Sequence, residues 1–231
     1  MKKLLALVLL GLIVFACAKE EENLMIVKGN ISGLRKGKFY LQKQIDSLVV
    51  SVDSVDVNGN NEFIMTDVVN SPEMYYLAMD KTDKKIPFFG EKDTVYIKSS
   101  LDKFNFKYLI DGSENQDLLD DYYDFIQKFN GQNLDLQKAY WQAQINQNAD
   151  SIALIEKQQK ALEKRKYLYA INFAINHKNK EVSPYIALTD LVNANTVWLD
   201  SIYNSLNPEI KASKYGEELK NYIIKIKVAE E

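Results

Sequence analysis

Few residues in this sequence are equipped for chemistry, and their types narrow the options at once. Cys17 is the only cysteine and His177 the only histidine among 231 residues. One cysteine leaves no internal disulfide, no CxxC redox pair and no thiolate zinc site, and one imidazole leaves no paired-histidine metal centre. His177 lies close to Lys178 and Lys180 and has no recognisable nucleophile motif to serve, so it reads as an exposed loop histidine rather than a general base. The run Asp56-Val57-Asn58-Gly59-Asn60 alternates oxygen ligands as a calcium loop does. An EF-hand needs its glycine directly after the third ligand, and Asn61 stands there, so a hairpin turn is the expected reading. Asp117, Asp120, Asp121 and Asp124 could face a divalent ion, but at helical spacing near a helix start they read as a solvated face. Tyr75, Tyr76, Tyr122 and Tyr123 could line a ligand surface, and on strands and helices they are expected to pack. No catalytic residue, metal ligand or cofactor is expected.

The position of Cys17 is more informative than its type. Lys2 and Lys3 precede Leu4 to Ala16, an uncharged and mostly aliphatic run. Its length suits a signal sequence and falls short of the ~20 residues that span a bilayer as a helix. It ends Val14-Phe15-Ala16-Cys17, which resembles a bacterial lipobox. The small residue before the cysteine gives the signal peptidase room to cut. The sulfur would then take diacylglycerol and the new α-amine a further acyl chain such as palmitate. An ordinary signal peptide or a short membrane anchor would leave the place of the only cysteine unexplained. Residues 1–16 are thus read as a lipoprotein signal peptide and 17–23 as an acidic tether to the membrane, each buried CH₂ contributing ~0.8 kcal/mol of anchoring. In that tether Cys17-Ala18-Lys19-Glu20-Glu21-Glu22 resembles the export signal of surface-exposed Bacteroidota lipoproteins, with Lys19, Glu20, Glu21 and Glu22 carrying the likeness. The resemblance implies an outer-membrane lipoprotein on the cell surface; without it the protein would face the periplasm.

The elements beyond the tether divide by period. Hydrophobic residues make up 46% of the chain, enough for a core, which excludes a disordered tail. The formal charge of -3 offers no basic field for phosphates, so no nucleic-acid partner is expected. Over residues 24–112 the pattern alternates and is broken by turns, giving about eight short strands, the last reaching from Phe104 to Ile110. Asp53-Ser54 interrupts the alternation of Val50, Val52, Val55 and Val57 as a bulge would, and Asn58-Gly59-Asn60 reads as a hairpin turn. Over 113–231 the period is helical, with Leu118, Tyr122, Phe125, Ile126 and Phe129 on one stripe. Ser183-Pro184 and Asn207-Pro208 read as N-caps followed by proline at the first helical position. The predicted class is α+β: an N-terminal antiparallel β-sandwich or barrel followed by a C-terminal helical region.

The order of these features resembles a known family. Ile26-Val27-Lys28-Gly29-Asn30-Ile31-Ser32-Gly33, Gly37-Lys38-Phe39-Tyr40-Leu41, Asn61-Glu62-Phe63-Ile64, Pro72-Glu73-Met74-Tyr75-Tyr76-Leu77 and Asp111-Gly112-Ser113-Glu114-Asn115 carry the likeness. It is to the domain of unknown function DUF4369, which fronts many thiol:disulfide interchange lipoproteins of the TlpA and ResA type in Bacteroidota. In those longer relatives a segment like Lys214-Tyr215-Gly216 leads into a thioredoxin domain, whereas this chain runs to Glu231 without a CxxC. The oxidoreductase activity of the family therefore does not carry over. Asp-Ser or Asp-Thr followed by an aliphatic residue, at Ser47, Ser54, Thr94, Ser151 and Ser201, is similar to the O-glycosylation sites of Bacteroidota envelope proteins.

Two function classes follow. The first is a membrane-anchored, non-enzymatic binding or protein-interaction module with an envelope protein or small-molecule partner. The rival is an envelope hydrolase using a carboxylate site that no motif announces. The lipobox reading makes one direct prediction. Cys17→Ser should abolish acylation and leave the chain unprocessed or soluble, as read by intact mass and membrane fractionation. A Cys17→Ser chain that is still cleaved and acylated normally would refute it.

Overall fold

Alternating inward apolar and outward polar side chains build the first half of the molecule. The computed structural model describes residues 23–230; the expected signal peptide, Cys17 and Lys19 to Glu22 lie outside the described residues. Strands β1 (Leu24–Ser32), β4 (Glu62–Val68), β7 (Asp93–Ser100) and β8 (Tyr108–Asp111) form one four-stranded sheet in the order β4-β1-β7-β8. Strands β2 (Lys36–Ile45), β3 (Leu48–Asn58), β5 (Glu73–Met79) and β6 (Lys85–Gly90) form a second, in the order β3-β2-β5-β6. The sheets do not close, so of the two architectures expected the sandwich holds and the barrel does not.

Tertiary pairing departs from the expected all-antiparallel plan at one place. β1 and β7 run parallel, because the whole second sheet serves as the crossover between them. The Asn58-Gly59-Asn60 turn forms, with Gly59 at φ +83° and its N–H donating to the Arg35 carbonyl at 2.7 Å. The strands it joins lie in different sheets, however, so it is a crossing between layers and not a paired hairpin. The bulge falls at Val52, where the register passes from Leu41↔Asp53 to Gln42↔Ser51, next to the Asp53-Ser54 expected. The last strand is shorter than read. Phe104 lies in a turn, fully buried and 5.7 Å from the Phe39 ring, since its size suits it to plug the core end.

The second half is α1 (Glu114–Ile145), α2 (Ala149–Asn176), α3 (Val182–Thr189), α4 (Thr196–Ser205), α5 (Pro208–Lys211) and α6 (Lys214–Glu230). None of the described helices is long and apolar enough to cross a membrane. The Gln- and Asn-rich stretch around Gly131 continues α1. The buried stripe of α1 runs through Asn115, Leu119, Tyr122 and Ile126, so Phe125 is turned outward and 41% exposed. Pro208 stands at the start of α5 as expected, but α3 begins at Val182, ahead of Ser183. Ser183 is fully buried, and its hydroxyl donates to the Ala174 carbonyl at 2.6 Å instead of capping.

The second sheet is the middle of three layers. Tyr75 and Phe88, paired across β5 and β6, face the first sheet; their neighbours Met74 and Phe89 face the helices. Two apolar cores result, one between the sheets and one between the second sheet and the helices. The β8–α1 junction turns on Gly112 at φ +92°, where a Cβ would collide with the Thr94 carbonyl oxygen. Gly112→Ala should therefore cost about 2 kcal/mol of stability in urea unfolding. A loss below a few tenths of a kcal/mol would show that the junction is soft.

Candidate functional site

The densest group of ionisable side chains sits where the sheets meet α6. β4 turns Phe63, Met65 and Asp67 toward the core, and Asp67 meets Lys43 of β2 at 2.7 Å. Lys43 also reaches Glu73 at 3.3 Å and donates to the Tyr75 hydroxyl at 3.0 Å; that hydroxyl donates to Asp67 at 2.7 Å. Lys214 of α6 pairs with the second oxygen of Glu73 and donates to the Gln44 carbonyl at 2.7 Å. Burial works against the Lys43 ammonium, but Asp67 and Glu73 outweigh it and hold the group protonated. Burial first, and then Asp67, push the Tyr75 hydroxyl far up. An amine held charged and a phenol held neutral are neither nucleophile nor base at neutral pH. The cluster is a clamp between layers.

The seam beside it is equally saturated. The Tyr215 hydroxyl accepts the Met74 N–H at 2.9 Å, and Gln116 Oε1 accepts the Phe89 N–H at 2.8 Å. Asn115 accepts the Val182 N–H at 3.0 Å and donates to Glu91 at 3.3 Å. Glu181, 7% exposed, has its carboxyl pushed up to about 7 by burial and then by the charges of Glu91 and Glu209, against Lys180. Burial also raises the carboxyls of Asp117, Asp120 and Glu218, and Glu181, the most buried of these acids, lies in the seam and lines none of the clefts described below.

The residues singled out in the sequence scatter across the fold. Tyr75 and Tyr122 are fully buried, and Tyr122 donates to Asp190 at 2.8 Å; Tyr76 and Tyr123 are half-buried. Asp120 accepts from Gln116 Nε2 at 2.7 Å, and among the described residues no group of His, Cys, Asp or Glu is placed to hold a metal. Asn60 Oδ1 accepts the N–H groups of Asn61 and Glu62, so it serves the turn. His177 is not in an exposed loop: it ends α2, half-buried, with Nδ1 donating to the Phe173 carbonyl at 2.8 Å and its ring 4.1 Å from that of Phe173. Ser47, Ser54 and Ser201 are exposed, while Thr94 and Ser151 are half-buried.

One concave surface stands apart from these internal networks. The outer face of the first sheet carries Glu62, Asn30, Lys98 and Leu109 in one row across β4-β1-β7-β8, and Ile64, Lys28, Tyr96 and Asp111 in the next. An open cleft of about 590 Å³ lies over these rows, walled by Lys28, Ile64, Tyr96 and Lys98 with Asn30 and Glu62 at one end. Ile64 is 59% and Tyr96 41% exposed, and Lys28 Nζ stands 5.5 Å from the Tyr96 ring centre. Glu62 accepts from the neutral Asn30 amide at 2.9 Å and keeps its charge, so the cleft carries two ammonium groups along its wall and one carboxylate at its end. Such a face can stack, bury apolar surface and attract carboxylates. A second groove, about 510 Å³, runs between α1 and α2 past Phe129, Asn133, Glu156, Gln159 and Lys166; it is polar and lies on exposed helix faces. Lys28, Tyr96 and Lys98 were readable from alternation, since they fill the outward slots of strands whose inward slots are apolar.

Glu181 generates a pH prediction. Its carboxyl ionises near 7 in the fold against 4.5 ordinarily, so the fold gains most from it below pH 4.5 and loses that contribution as pH rises through 7. Glu181→Gln should raise the unfolding free energy at pH 8 by up to about 3 kcal/mol and leave it unchanged at pH 4. Equal effects at both pH values would contradict the assignment.

The family model described as Domain of unknown function (DUF4369) matches residues 25–119. No curated protein and no solved structure matches the chain. The matched span takes in both sheets, the outer-face cleft and the first residues of α1, including the seam residues Asn115 and Gln116. Residues 25–119 of this chain are therefore a domain of the DUF4369 family, a family of unknown function.

Proposed function

We propose that the protein is a membrane-anchored envelope lipoprotein whose DUF4369 domain is a non-enzymatic binding module, engaging its partner through the outer face of the first sheet. The observation that carries this reading is the contrast between surfaces. The most buried titratable groups of the sheets are paired within the seam, whereas the open cleft over Tyr96 presents an aromatic ring, an aliphatic side chain and two ammonium groups, with one carboxylate at its end. Two lysines beside an exposed tyrosine favour a partner segment that sets carboxylates next to an apolar or aromatic group. Lipidation at Cys17 would hold the module at the outer membrane, and the Lys19 to Glu22 tether would present it on the cell surface. The reading needs no metal, cofactor or nucleic acid.

The test is crosslinking and capture of the full-length protein from its native envelope, with wild type beside a Lys28→Ala/Tyr96→Ala variant. Both substituted side chains point outward, so the variant should melt within 2–3 °C of wild type, as exposed substitutions cost about 0.5 kcal/mol or less. A protein recovered with wild type and lost with the variant supports the proposal. Recovery that is equal from both, or hydrolysis of envelope substrates that depends on Glu181, would overturn it.

A further inference from the structure

An open sheet leaves terminal strands whose unpaired N–H and C=O groups invite another strand, and proteins blunt such edges by recognisable devices. Three of the four terminal strands here are blunted. β8 is only 4 residues long. β6 carries Pro87 and gives its Phe89 N–H to Gln116. β4 gives its Thr66 N–H to Asp53 Oδ2 at 2.8 Å. The second half of β3 is protected by the same aspartate, whose Oδ1 accepts the Ser54 N–H at 2.7 Å.

The first half of β3 has no such cover among the described residues. β2 pairs with β5 only over Phe39 to Lys43, so beyond Lys43 the β2–β3 hairpin continues as a two-stranded ribbon with solvent on both faces. Ile45, Leu48 and Val49 are 49%, 68% and 52% exposed there. Ser47-Leu48-Val49-Val50-Ser51-Val52 contains no charge and no proline, and its valines and leucine suit extended pairing. Lys214 braces the ribbon through the Gln44 carbonyl, which keeps the edge presented.

We infer that Leu48 to Val52 is a self-association edge, at which β3 pairs antiparallel with β3 of a second copy of this chain about a two-fold axis at Val50. A two-fold interface must be complementary to itself, and an uncharged aliphatic strand is. With the axis at Val50, Leu48 faces Val52, Val49 faces Ser51 and Asp53 faces Ser47. An axis between Val49 and Val50 would set Asp46 against Asp53, and like charges directly opposite repel. An edge lacking charge offers nothing to select a charged foreign strand. A ribbon this short belongs to the small, weak class of interfaces, so the dimer forms as concentration rises.

Sedimentation velocity on the full-length protein in detergent, over a wide concentration range, tests this. Wild type should pass from monomer to dimer, while Val50→Lys, which places two ammonium groups face to face, should stay monomeric. Leu48→Lys, at a more exposed position, should act likewise and guards against a folding defect at Val50. In a Cys17→Ser background, Val50→Cys should crosslink under mild oxidation, and Val228→Cys, exposed on α6, should not. A wild type that is monomeric throughout, a dimer that survives both lysine variants, or equal crosslinking from Val228→Cys would overturn the inference. So would a monomer whose Leu48 to Val52 amides gain exchange protection only on adding envelope extract, since the edge would then belong to another partner.

Discussion

Two buried backbone N–H groups, those of Met74 and Phe89, set the terms for the rest of the structure. They belong to the two strands of the second sheet that are covered on both sides, and an unpaired N–H there would cost on the order of 1–3 kcal/mol. The helical half supplies both acceptors, the Tyr215 hydroxyl and Gln116 Oε1. The apolar contacts follow the same lines: Phe89 meets Tyr185 and Tyr215 edge-on, with ring centres 5.3 and 6.2 Å apart. The β layer needs acceptors and the helical layer brings them, an obligation that should make the two layers unfold together.

This obligation explains where the unusual chemistry lies. Buried charges cost more than they return unless fully paired. Lys43, Asp67, Glu73 and Lys214 are paired with one another across β2, β4, β5 and α6, and the Tyr75 hydroxyl closes the network. Glu181 bears the cost of the same seam as a raised carboxyl pKa. Beside one cysteine, the proposed lipid anchor, and a single histidine at a helix end, the paired charges of this seam are the most buried titratable groups of the sheets. The outer face of the first sheet, on the far side of the sandwich, is the open surface on which binding is proposed.

Local features were legible in the sequence because they depend on near neighbours. The change from period two to helical period, the Gly59 turn, the bulge beside Asp53 and the Pro208 helix start all follow from residue types within a few positions. The long-range arrangement was not. Nothing local to Asn58-Gly59-Asn60 says that β3 and β4 belong to different sheets, and nothing in β1 or β7 announces parallel pairing. Ser183 looked like a cap because capping is what an exposed serine before proline does; buried, it answered to the Ala174 carbonyl instead. Asn115 and Gln116 were hidden for the converse reason, as polar residues on the buried stripe of α1 whose partners lie on β6, in the turn after it and at the start of α3. The proposed binding face was half legible: alternation places Lys28, Tyr96 and Lys98 outward, but only the strand order brings them side by side.

The seam between the second sheet and the helices should be the last part of the fold to open. Native-state hydrogen exchange at the Met74 and Phe89 amides measures this directly. Both should exchange only through global unfolding, with the same free energy as the most protected amides of β1 and α1, and should lose protection together in a Tyr215→Phe chain. Exchange at these two amides through a low-energy local opening, while β1 and α1 stay protected, would contradict the claim that the two halves form one structure.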